Sequence, residues 1–162
     1  MFSEFFVPFE AGDKLFHYIL FFGGKFVRSW LESLSVDETK KAITDWFDAV
    51  KNHYPDIEMI DVANEAIRTG NNQYHSGYTR TKIIPALGGD NGDYAFLTTA
   101  FKMARERWPK AILIYNDYNT IQWHVDQGIN LINTIRKNGA PVDAYGLQAH
   151  DLMSDGGQAG GT

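Results

Sequence analysis

Three short runs of this chain put carboxylate, amide, imidazole and phenol groups side by side: Asn64-Glu65, Asn116-Asp117-Tyr118-Asn119 and Gln148-Ala149-His150. Each closes an apolar stretch, so each falls where a buried strand gives way to loop. Amides and imidazoles hydrogen-bond hydroxyls, aromatic faces stack on pyranose rings, and one carboxylic acid can protonate a glycosidic oxygen. Together they make the inventory of a sugar site. A plainer reading stands beside it: Glu65 as the first acid of a following helix turn, and Gln148 and His150 as partners for strand-end backbone groups. Other chemistries lack support. No GxGxxG or GxxxxGK[ST] run is present for a nucleotide, and no GxSxG elbow for a serine hydrolase. His150, Asp151 and Asp117 lack metal-ligand spacing, and no organic cofactor is implied.

These runs need elements to hold them. Residues 15–22 (LFHYILFF), 57–64, 111–115 and 142–147 read as strands. Ser35 and Glu38 form a capping box. Behind it Ala42, Ile43, Trp46, Phe47 and Val50 recur at helical spacing as far as about His53. A second helix runs from Asp93 to Trp108, and a third from Ile121 to Gly139. Between Glu65 and Asp93 lies a long Asn-, Gly- and Tyr-rich connection, residues 68–92, expected to be loop; Tyr74, His75 and Tyr78 are candidates to rim a cleft. The β-α-β-α-β-α-β order predicts a parallel sheet with right-handed crossovers. All three polar runs then fall on one edge of that sheet, where α/β folds place their sites.

The 162 residues fit one domain, residues 1–13 being an unassigned lead-in and 155–162 a Gly-rich tail. A hydrophobic content of 44% supplies core, and a net charge of −5 argues against nucleic acid or an anionic membrane as partner. The apolar run at 15–22 is far short of the roughly 18–20 residues that span a bilayer, and it lacks the flanks of a signal peptide. With no cysteine, disulfides, thiolate metal sites and cysteine nucleophiles are excluded.

Asp61-Val62-Ala63-Asn64-Glu65-Ala66, Tyr115-Asn116-Asp117-Tyr118-Asn119 and Gly146-Leu147-Gln148-Ala149-His150 occur in the order and spacing of glycoside hydrolase family 10. The chain resembles these retaining endo-1,4-β-xylanases from about Leu15 to Leu152. The resemblance implies a (β/α)8 barrel of which the chain covers about strands three to six. It also implies xylan or xylo-oligosaccharide as substrate and a secreted or cell-surface parent protein. By position, Glu65 matches the general acid/base and Asn64 the amide that holds the 2-hydroxyl of the sugar at the cleaved bond. Tyr118 matches an aromatic on the leaving-group side, and Gln148 and His150 match groups around the nucleophile. His17 matches a histidine on the third strand, although Phe21, Phe22 and Gly23 replace the residues that follow it in the family.

A whole barrel takes about 250 residues. The strands that carry the family's xylose-binding Lys and Asn, and its nucleophilic glutamate, have no counterpart in the sequence. Retention needs two carboxyl groups roughly 5–5.5 Å apart, and only Glu65 matches one of them. Asp117, Asp143 and Asp151 are the nearest substitutes, none on the required strand. The expectation is therefore an incomplete catalytic domain. Its alternative role is a non-catalytic xylan-binding remnant, with open barrel edges suited to self-association.

Overall fold

In the computed structural model, residues 18–19, 29–68, 72–74, 76–118 and 123–148 are described. Four strands, β1 (Tyr18–Ile19), β2 (Met59–Asn64), β3 (Ile112–Tyr118) and β4 (Ala144–Gln148), lie side by side in chain order. Every pairing is parallel. The crossovers carry the helices α1 (Val36–His53), α4 (Ala95–Arg107) and α5 (Val125–Lys137), with α2 (Ser76–Arg80) and α3 (Ile83–Ala86) between β2 and α4.

Local chemistry sets the helix ends. The Ser35 hydroxyl accepts from the Glu38 N–H while Glu38 accepts from the Ser35 N–H at 2.8 Å, so the capping box forms as read. Gly139, with φ of 86°, follows α5 in the left-handed conformation that costs glycine least. The start of α4 differs from expectation by two residues. The Asp90 carboxylate accepts from the N–H groups of Gly92 and Tyr94, both at 2.9 Å, and the helix starts only after that turn.

The apolar stripes meet the sheet on one side. Ile43, Phe47 and Val50 of α1, Phe96, Leu97 and Phe101 of α4, and Leu131 and Ile135 of α5 are buried with Ile60, Val62, Leu113 and Tyr115. Each such side chain contributes about 1.5–3 kcal/mol by leaving water. Polar ties join the ends of the layers away from the site. The Trp108 indole donates to the Tyr54 carbonyl at 3.0 Å. Arg105 holds the carbonyl of Ala111 at 2.7 Å and pairs with Asp143.

Two expectations need correction. Residues 68–92 are not loop throughout, because α2 and α3 are built into them. β3 does not stop at Tyr115 but runs on through Asn116, Asp117 and Tyr118. Asparagine and aspartate read as strand breakers, yet here β2 and β4 flank β3 and pair with its backbone on both sides. Of the first predicted strand, only Tyr18 and Ile19 are described.

Candidate active site

A bulge decides where the site faces. Asp61 pairs with Ile114, but Ala63, not Val62, pairs with Tyr115. The extra residue shifts the alternation by one position. Asn64 therefore lands opposite Asn116, on the face of the sheet away from the helices, while both Val62 and Ala63 enter the core. Asn116 pairs in turn with Gly146, and Tyr118 with Gln148. One row of polar groups thus crosses three strands at their C-terminal ends.

Their hydrogen bonds converge. The Gln148 amide nitrogen donates to Asn64 Oδ1 at 2.8 Å and to Glu65 Oε1 at 3.1 Å. Asn116 Nδ2 donates to the same Asn64 oxygen at 3.2 Å. Both lone pairs of Asn64 Oδ1 are taken, so Asn64 offers a ligand its NH2 group. Gln148 donates to one oxygen of Glu65, Oε1. Gly146 makes room for this row: a Cβ there would stand 2.8 Å from Asn116 Oδ1.

Glu65 has left-handed backbone, with φ of 55°. For a non-glycine residue this costs on the order of 1–3 kcal/mol, and it persists only where the surroundings over-determine it. They do so here. The Glu65 N–H donates to the Asn116 carbonyl at 2.9 Å, the Ala66 N–H to the Tyr115 hydroxyl at 3.0 Å and the Ile67 N–H to Asp117 Oδ2 at 3.2 Å. Tyr78 donates to the Asn64 carbonyl at 2.9 Å. Burial, and then the Asp117 charge, push the Tyr78 and Tyr115 phenols well above their ordinary range, so both remain hydrogen-bond donors. Burial also pushes the Asp117 carboxyl up, against the hydrogen bonds from Tyr115 and from the N–H groups of Tyr118 and Ile67.

The sequence pattern of Glycosyl hydrolase family 10 matches residues 18–160, most of the chain. The chain belongs to that family. It is 37% identical over 124 residues to endo-1,4-beta-xylanase B of Cellvibrio japonicus, covering 76% of this chain and 18% of that protein. It is 38% identical over 105 residues to endo-1,4-beta-xylanase B of Paenibacillus barcinonensis, covering 64% of this chain and 29% of the relative. A solved xylanase of Paenibacillus barcinonensis, in complex with a conduramine derivative, superposes with a TM-score of 0.65 at 29% identity, over 82% of this chain and 39% of that one. The fold is thus that of part of a (β/α)8 barrel, and the chain spans well under half the length of these relatives.

Within this family 10 scaffold the structure brings Asn64, Glu65 and Gln148 into one hydrogen-bonded group. Tyr118 lies beside Gln148 in register, its ring edge-to-face with His124 at 5.1 Å. His17 and His150 lie outside the described residues, as do His75 and Asp151. The substitute carboxylates are committed elsewhere. Asp143 sits before β4, at the opposite end of the sheet, accepting from the Leu113 N–H at 2.8 Å and pairing with Arg105. Asp117 has no exposed surface, and both of its oxygens accept hydrogen bonds. Neither is free to act as nucleophile. Tyr74 and Tyr78 do not rim a cleft: Tyr78 is buried against Phe96, and Tyr74 packs on both. No described group of three or more His, Asp or Glu converges to hold a metal ion.

Sequence reasoning assigned no role to Asn116, Tyr115 or Arg68. Asn116 was visible as a polar strand-end residue. Tyr115 read as the last core residue of its strand. Arg68 pairs with Asp90, which is 22 positions away, and its guanidinium lies over the rings of Tyr74 and Tyr94 at 5.0 and 5.4 Å. No local pattern announces such a pair.

Proposed function

We propose that this chain supplies the acid/base side of a xylan-cleaving site. The single observation that carries the reading is the Gln148 amide bridging Asn64 and Glu65 at the C-terminal edge of the sheet. Glu65 gives a proton from Oε2 to the glycosidic oxygen as the bond breaks, and later takes one from the incoming water. Asn64 donates its NH2 to a sugar hydroxyl beside that bond. Gln148 holds both in place, and Tyr118 offers a ring to the departing sugar. His17 and His150 belong to the same sugar-binding set by their sequence match. The names of the relatives, endo-1,4-beta-xylanases, support xylan as the polymer. Xylan lies outside cells, which fits a secreted or cell-surface parent protein.

A second reading rests on the two committed aspartates. With Asp117 and Asp143 engaged, neither supplies a second carboxylate to attack from the other face of the sugar. These residues on their own bind xylo-oligosaccharide without cleaving it, and turnover requires a second carboxylate from further sequence or another chain.

Calorimetric titration of xylotetraose into the purified chain, with reducing-sugar release from soluble xylan measured in parallel, tests both readings. The expected result is saturable binding, weakened about tenfold by Asn64→Ala through loss of one hydrogen bond to the ligand, and no release. Release that Glu65→Ala abolishes would establish the acid/base role and show that another carboxylate is recruited. No binding at millimolar ligand would overturn the reading.

A further inference from the structure

The exit of β2 is held at every step. Asn64, Glu65, Ala66 and Ile67 each give one backbone group to a neighbour, and Arg68 gives its side chain to Asp90 and Tyr74. One of the holding groups faces both strands at once. Asp117 accepts from the Ile67 N–H of the β2 exit, from the Tyr118 N–H of its own strand at 2.8 Å, and from the Tyr115 hydroxyl. That hydroxyl itself accepts the Ala66 N–H. Two donors that would otherwise be orphaned just beyond Glu65 thus end, directly or through one phenol, on a single buried carboxylate.

We propose that Asp117, acting with Tyr115, is a positioning residue for Glu65, fixing the left-handed turn that carries the acid/base carboxyl toward Gln148. It touches neither the sugar nor the reacting atoms. Three donors converge on it, so the acceptor-only character of a carboxylate is what the place requires. An amide there would present NH2 to one of those donors and lose that bond. Tyr78, from α2, also holds the turn by donating to the Asn64 carbonyl.

The proposal rests on Glu65 being the acid/base, but its test reads the turn itself and needs no substrate. Failure of the xylan reading and failure of this one are therefore separable. The isotopically labelled chain is compared with Asp117→Asn by NMR, following amide exchange at Ala66 and Ile67 and the carboxyl carbon of Glu65 across pH. Positioning predicts exchange faster by about tenfold at Ile67 or Tyr118, whichever N–H the new NH2 group faces, the loss of one hydrogen bond. It also predicts a displaced Glu65 titration curve, with the exchange of Phe47 and Val50 in α1 unchanged. A Glu65 curve that stays in place while the fold holds would overturn it. Asp117→Asn also removes a charge that acts on Glu65, so a displaced curve supports positioning only where Tyr115→Phe, which keeps that charge, displaces it too. Should Asp117→Asn fail to fold, Tyr115→Phe serves: it removes the acceptor of the Ala66 N–H and one donor to Asp117. Faster Ala66 exchange with a displaced Glu65 curve is then expected, and an undisplaced curve contradicts the proposal.

Discussion

Gln148 is the residue on which Asn64 and Glu65 depend for orientation, because one amide nitrogen serves both. Removing it as Gln148→Ala leaves strand β4 intact, since the side chain alone is lost. The expected outcome is xylotetraose binding weaker by about tenfold, with a melting temperature lowered by only about a few degrees; calorimetry and thermal melting check the two halves. Asn64, Glu65 and Gln148 were legible from sequence because each stands within or just after an apolar run and falls on a motif that the family shares. What the sequence hid at this scale is the bulge at Val62. Counting alternate residues from Asp61 sends Asn64 to the helix side, and only the paired register shows it facing Asn116. The tight approach at Gly146 was equally invisible, because nothing in a one-dimensional spacing says that Asn116 leans over β4.

Helices α1, α4 and α5 were readable because their apolar residues recur over many turns and capping residues precede or follow them. Helices α2 and α3 were not, since four or five residues are too few to display a period. The connection that holds them is fastened by Arg68 and Asp90. Burial opposes the charge of Asp90, yet hydrogen bonds from Tyr74, the Tyr94 N–H and Arg68 outweigh it and hold the carboxyl below its ordinary range. A depressed pKa means that its stabilisation is complete above roughly pH 4 and fades as acid carries the pH down through the folded value. Asp90→Asn is accordingly expected to cost about 1–3 kcal/mol at pH 7. The difference from the unaltered chain should shrink below roughly pH 4, as urea melts at several pH values would show. A second contact between elements is steric. A Cβ at Gly128 of α5 would stand 1.9 Å from the Tyr145 hydroxyl oxygen, and that ring packs on Tyr115. Gly128→Ala should therefore destabilise by about 1–3 kcal/mol through overpacking. Among the described residues the buried Tyr145 hydroxyl has no hydrogen-bond partner, so Tyr145→Phe is expected to be near neutral and to recover part of the Gly128→Ala loss. A double-mutant cycle in thermal melts measures that coupling.

For the whole molecule, the parallel order followed from alternating strand and helix patterns, and the barrel from family motifs at three strand ends. The sheet has two outer strands, β1 and β4, and the chain covers 39% of the solved Paenibacillus barcinonensis xylanase it resembles. The face of β4 that would meet a following helix leaves Leu147 half exposed, and Ile129 of α5 is half exposed as well. In a closed barrel, further strands and helices would cover such surfaces. Asn64, Asn116 and Gln148 are proposed as one hydrogen-bonded row beside Glu65, in which Asn64 meets the sugar. The most direct measurement is the set of side-chain amide signals of these three residues in the 15N-labelled chain during titration with xylotetraose. All three are expected to move together along one saturation curve. Saturable shifts elsewhere with these amides unmoved, or no shifts at all, would contradict it.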